Sequence, residues 1–138
     1  MTIRRDYLLR IIDEFFKFLS KILKLKDAKE YQQAFLVMEE TSQTLLHAGL
    51  NEFTEIQGLI LPFVSGKGLT MDQIEILAEL LKVKADIEMD LFNNFSALNL
   101  YEKSLELLQH IQSNSKNFSL SRIEKIDDIR DILAGLKG

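Results

Sequence analysis

Cysteine is absent from this chain, so it has no disulfide framework, no thiolate metal site and no cysteine nucleophile. Proline occurs once and glycine six times in 138 residues. Because these two residues are the main interruptions of helical hydrogen bonding, their scarcity leaves long stretches free to form helices.

Long apolar runs are also missing. No segment approaches the roughly 20 apolar residues of a membrane span. Charges at Asp6, Arg10, Asp13 and Glu14 interrupt the apolar stretch that a secretory signal would need. We therefore expect a cytoplasmic protein without membrane contact. The net charge of −4 argues against nucleic-acid binding, which depends on basic surface.

The pattern of apolar residues predicts an all-α protein that forms a single domain over residues 1–138. Apolar side chains recur at spacings of three and four along most of the chain. The apolar run between Gly58 and Gly68 also fits a strand, but no partner strand is evident, so a short helix or turn is preferred. The predicted helices cover about 3–25, 30–48 (ending at Gly49), 51–56, 70–92, 95–112 and a last amphipathic segment, 120–136.

Side chains that can cap helices mark two of the predicted starts. Thr70 with Gln73 has the spacing of a capping box. Ser121 with Glu124 has the same spacing near the last helix, where Ser119 is a rival cap.

Two helices share a local pattern in which a small residue precedes a large one by one turn. Ala34 precedes Met38, and Ala97 precedes Tyr101. An alanine lets a neighbouring helix approach closely, and the large residue fills the gap one turn later. This is typical of the second helix of a tetratricopeptide-type hairpin. We predict a stack of two helical hairpins with a short connecting helix and a C-terminal capping helix.

The segment Arg4-Arg5-Asp6-Tyr7, followed by a long helix and then Glu30-Tyr31-Gln-Gln-Ala34, resembles a bacterial family of unknown function with tetratricopeptide-like folds. The resemblance extends over nearly the whole chain. It implies stacked helical hairpins and brings no catalytic residues with it.

Residues that carry chemistry are scattered. His47 and His110 each lie near a helix end, without a second histidine at helical spacing. Asp127 and Asp131 share a face, but Arg130 lies between them, which favours a solvated ion-pair surface. We therefore predict no catalytic residue, no metal site and no cofactor.

Five residues are candidates for contact with a ligand or partner: Arg4, Arg5, Tyr7, Tyr31 and Tyr101. The tyrosines lie at spacings typical of the core edge, where the ring packs and the hydroxyl stays available. The two arginines lie near a helix N-terminus, where positive charge is unfavourable, which suggests either an external acidic contact or a frayed start of the helix.

The first helix is apolar around most of its circumference. Ile11, Phe18 and Leu25 form a line of seven-residue spacing. Such a line can be covered by a second copy of the chain in a homodimer. The apolar segment 59–64 is the alternative cover.

These features favour a non-enzymatic interaction or scaffold module that binds a protein segment or itself. The alternative is a small-molecule-binding or enzymatic bundle whose pocket is assembled from distant polar residues. An open, apolar groove would favour the first hypothesis, and a closed cavity with buried His, Asp or Arg would favour the second.

Overall fold

The computed structural model describes residues 2–114 and 120–137, except for the side chains at positions 2–5, 8 and 120. Helices make up 85% of this part of the chain, and it contains no strand. The all-α prediction is therefore confirmed. The helices are α1 (Thr2–Asp27), α2 (Tyr31–Leu46), α3 (Leu50–Thr54), α4 (Leu61–Gly66), α5 (Met71–Asp90), α6 (Asn94–Asn114) and α7 (Leu120–Lys137).

The contacts within the chain divide it into two compact units, Met1–Phe53 and Thr54–Gly138. In the first unit, α1 packs against α2. The buried face of α1 is centred on Ile11, Phe15 and Ile22, and α2 contributes Ala34 and Met38, both fully buried. The burial of Ala34 is therefore consistent with the close helix packing expected at this position.

Three helix ends depend on residues in the left-handed region that are not glycine. Lys29, His47 and Phe92 have φ near +60°. After α1, the Glu30 N–H donates to the Leu25 carbonyl at 2.9 Å, which is the long hydrogen bond of a Schellman motif. The prediction that Gly49 ends the second helix was wrong, because α2 ends at Leu46 and His47 takes the left-handed conformation.

The second unit is built on the α5–α6 hairpin, with α7 packed against α6. The capping box at the start of α5 is confirmed. The Gln73 N–H donates to Thr70 Oγ1 at 3.2 Å, and the Thr70 N–H donates to Gln73 Oε1 at 2.9 Å. Between the helices, Ser104 Oγ donates to the Ala78 carbonyl at 2.8 Å. A short side chain can reach a backbone carbonyl only where two helices lie close together.

Helix α7 covers the hairpin with one apolar stripe, as its sequence predicts. Ile126, Ile129 and Leu133 are buried, and most of its other residues are exposed. Two ion pairs tie α7 to α5: Arg122 with Glu75 and Lys125 with Glu79. Burial lowers the pKa of Lys125, and the nearby Glu75 opposes this effect.

The connecting region is helical, as preferred over a strand. The helix predicted for 51–56 is α3, and the run between Gly58 and Gly68 contains α4, with Pro62 in its first turn. Helix α7 begins at Leu120, so Ser121 lies within it and is not its N-cap, whereas Ser119 lies outside the described residues. The single domain over 1–138 stays a prediction.

Candidate binding groove of the second unit

An open groove of about 640 Å³ lies along α6 in the second unit. One stripe of α6 forms its long side, because residues spaced alternately by four and three lie on the same helical face. With a rise of 1.5 Å per residue, this stripe is roughly 21 Å long. Its members are Phe95, Asn99, Glu102, Glu106 and Gln109.

The segment 54–59 forms part of the opposite wall, and Glu106 holds the end of that segment in place. The Glu106 carboxylate accepts hydrogen bonds from the backbone N–H of Ile60 at 3.0 Å and of Leu61 at 2.8 Å. Ile60 is itself fully buried. Hydrogen bonds to a charged acceptor are stronger than neutral ones, so this contact fixes a non-helical wall against α6.

The rim of the groove carries two large apolar side chains that are open to solvent. Leu59 is 71% exposed and Phe95 is 80% exposed. Leu133 of α7 adds a buried apolar side chain to the lining. Apolar side chains that project from the rim of a concave surface are typical of a site that buries them against a partner.

Phe92, three residues before Phe95, adds to the exposed apolar surface of the α5–α6 turn. It is 88% exposed, and its φ is +62°. The Asn93 N–H donates to the Glu88 carbonyl at 2.8 Å, which closes the turn around it. A bulky residue rarely takes this conformation, because its Cβ crowds the backbone.

The two carboxylates of the groove are already engaged. Glu102 pairs with Lys137 Nζ at 3.1 Å, and Glu106 binds the two backbone N–H groups described above. Lys103 also lines the groove but is only 8% exposed. Among the residues that the structure describes, no carboxylate lies within ion-pair distance of its ammonium.

Tyr101, a predicted contact residue, lies in the core next to the groove and does not line it. It is buried, and its hydroxyl donates a hydrogen bond to Asp86, which also pairs with Lys82 at 3.1 Å. Burial and the Asp86 carboxylate both raise the pKa of the Tyr101 hydroxyl above its ordinary value of 10.0. These contacts give Tyr101 a packing role.

The other predicted contact residues belong to the first unit, whereas the groove is formed by residues of the second. Tyr7 is exposed and Tyr31 is half-buried at the start of α2. The side chains of Arg4 and Arg5 lie outside the described residues. Their role as ligand contacts stays a prediction.

The solvent-exposed line of α1 differs from the one selected for self-association. Ile11 is buried, and Phe18 and Leu25 are half-buried. The exposed large residues with seven-residue spacing are Leu9, Phe16 and Leu23. Any self-association through α1 is therefore expected to use this second line in place of the line of Ile11, Phe18 and Leu25.

The histidines lie apart from the groove lining. His47 is the left-handed residue after α2, and His110 Nδ1 lies 3.2 Å from Asn114 Nδ2 in the last turns of α6. Within the described parts of the chain, no three His, Cys, Asp or Glu side chains group closely enough to hold a metal ion.

Most of the groove has no signal in the sequence. Phe95 falls at the start of a predicted helix, and Lys103 and Glu106 are not among the predicted contact residues. The only signal in the sequence for the groove was the apolar segment after α3, which is bounded by glycines. The sequence does not predict what this segment contacts. The bonds from Glu106 to Ile60 and Leu61 join residues that are 45 or 46 positions apart, which no local pattern reveals.

No protein-family model, curated protein or solved structure matches this chain. Across the described helices, none has an apolar stretch of the length and hydropathy required to cross a bilayer.

Proposed function

We propose that this chain is a non-enzymatic interaction module of tetratricopeptide-like helical hairpins, and that it binds a segment of a partner protein in the α6 groove. The observation that carries the proposal is the open groove whose rim exposes Leu59 and Phe95. Removing two large apolar side chains from water supplies the main driving force for such binding.

The packing of the hairpins supports the tetratricopeptide-like part of the proposal. Ala34 and Ala97 are fully buried, as are Met38 and, nearly so, Tyr101 one turn after each alanine. The Ser104 contact with the α5 backbone indicates a close helix crossing in the second hairpin. Small residues at helix crossings followed by large residues one turn later are what this repeat pattern requires.

The engagement of the groove carboxylates favours binding over acid–base chemistry. Glu106 holds the wall through two backbone N–H groups, and Glu102 is paired with Lys137. A general acid or base must exchange its proton with a reactant. Carboxylates committed to the structure in this way are poorly placed for that exchange, whereas the apolar rim is free to make contacts.

A small-molecule site is the second candidate, and the size of the groove favours it. A volume of about 640 Å³ falls within the roughly 300–1,000 Å³ of typical ligand pockets. Such pockets enclose most of the ligand, however, whereas the rim residues here project into solvent. A protein segment, which keeps one face in water, fits this open shape better.

The proposal is tested by selecting peptides and mapping where they bind. The full chain is used to select dodecapeptides from a random display library, and affinities are then measured by fluorescence anisotropy. Leu59→Glu and Phe95→Glu are expected to weaken binding by at least tenfold, since burial of one such side chain contributes about 1.5–3 kcal/mol.

Leu36→Glu is the matched control. Leu36 is 71% exposed, as Leu59 is, but lies on α2 in the first unit. It should leave the affinity unchanged. Peptides that bind all three variants as tightly as the original chain would show that the groove is not the binding site.

A further inference from the structure

The unpaired Lys103 gives the groove a chemical preference. The stem of Lys103 is packed in the protein while its ammonium keeps access to water, since a long basic side chain can bury its methylene groups and leave the charge hydrated. The residue as a whole is 8% exposed and lines the groove, and its ammonium has no carboxylate partner among the described residues. The ammonium is therefore available to bind an anion that enters the groove.

The neighbouring groups limit what that anion can be. Glu102 and Glu106 balance Lys103 and Lys137 in the lining, with Glu102 paired to Lys137, so the groove has no net positive charge to attract a doubly charged group. A single lysine also lacks the planar fork with which arginine binds phosphate. Asn99, one turn before Lys103, lines the groove and can offer an amide N–H to the same acceptor. A singly charged carboxylate fits this arrangement best.

We infer that the segment bound in the groove places a carboxylate against Lys103, next to a large apolar side chain that packs between Leu59 and Phe95. This inference rests on the proposed function and specifies the partner's chemistry. The carboxylate is supplied by an Asp or Glu side chain or by the C-terminus of the segment.

The experiment uses the dodecapeptides selected by the full chain. The inference expects the selected sequences to be enriched in Asp or Glu near a large apolar residue, or to bind through a free C-terminus. Peptides with Asn or Gln in place of the acid, and peptides with an amidated C-terminus, distinguish these two sources. The modified peptide that lacks the carboxylate bound by the groove should have about tenfold lower affinity.

Lys103→Met removes the charge and keeps an unbranched apolar stem. It should weaken binding about tenfold and reduce the dependence of the affinity on salt concentration. Lys67→Met is the matched control, because Lys67 is exposed in the same unit and does not line the groove. It should bind the peptides as the original chain does.

Asn99→Asp is a second variant that keeps Lys103 and so serves if Lys103→Met does not fold. Its carboxylate lies four residues before Lys103, where it can pair with the ammonium and compete with the peptide. It should also weaken binding. Circular dichroism checks that each variant keeps its helices.

Two outcomes separate the inference from the proposed function. Peptides that lose affinity with Leu59→Glu, but bind Lys103→Met and Asn99→Asp normally, would overturn the carboxylate inference and leave the groove as the binding site. If Leu59→Glu has no effect on any selected peptide, the proposed function fails, and the inference fails with it.

Discussion

The close crossing of α5 and α6 gives the sharpest prediction about stability. Ala97 is fully buried on the face of α6 that contacts α5, seven residues before Ser104. Replacing it with leucine adds three carbon atoms at a crossing where Ser104 Oγ lies 2.8 Å from the Ala78 carbonyl oxygen. The helices must then separate, or the new side chain must leave its preferred rotamer.

Overpacking of this kind costs roughly 1–3 kcal/mol. The chain is larger than a domain of 60–100 residues and smaller than one of 150–250 residues, so this energetic cost corresponds to a fall in melting temperature of roughly 3–15 °C. Thermal unfolding followed by circular dichroism at 222 nm measures it directly. Urea unfolding provides an independent value of the free energy of unfolding.

Two further variants make the comparison decisive. Ala134→Leu changes an exposed position of α7, where leucine is nearly as good a helix former as alanine, so it should shift the melting temperature little. Ala34→Leu tests the equivalent buried position of α2. If Ala34→Leu and Ala97→Leu both melt like the original chain, the assignment of close helix crossings to these alanines is wrong.

Three other predictions concern the groove wall, a buried tyrosine and α1. Glu106→Ala removes the acceptor of the two N–H groups at the start of α4. It should lower the free energy of unfolding by roughly 1–3 kcal/mol and speed hydrogen exchange at these N–H groups. Unchanged exchange would show that the contact does not hold the wall. Burial and Asp86 raise the pKa of Tyr101, so the protonated hydroxyl stabilises the folded state. This contribution to the free energy of unfolding is fully present below pH 10 and falls by about 1.4 kcal/mol per pH unit as the pH rises further. The stability difference between the original chain and Tyr101→Phe should therefore shrink between pH 10 and 11 in urea titrations, and a constant difference would refute this. If the chain self-associates through the exposed line of α1, Phe16→Glu should give folded monomers in light scattering over a dilution series. A dimer that only Phe18→Glu splits would instead support the line of Ile11, Phe18 and Leu25 as the interface.

The helices could be predicted from the sequence because their signals are local. The capping box at Thr70 and Gln73 lies within one turn, and its two hydrogen bonds form wherever that turn starts a helix. The stripe of Ile126, Ile129 and Leu133 shares a face through helical geometry alone. Such features need no distant partner.

Helix ends were predicted less well where the left-handed residue is not glycine. Glycine is the usual left-handed residue at a C-terminus, which pointed to Gly49. The structure uses His47, and it uses Phe92 after α5, although both have a Cβ atom that opposes this conformation. Hydrogen bonds of neighbouring residues close these turns, from the Asn93 N–H to the Glu88 carbonyl and from Ser42 Oγ to the Ala48 carbonyl, and residue preference at one position does not record them.

The amphipathic helices, and the residues that share each helical face, follow from the sequence alone, because periodicity and capping act within a few residues. Which apolar line of α1 is exposed depends on tertiary packing, since its neighbours cover Ile11 and leave Phe16 in water. The groove is likewise a tertiary feature. Glu106 meets the start of α4 across more than forty residues, and the burial of Lys103 follows from packing around α6, so neither could be predicted from sequence spacing.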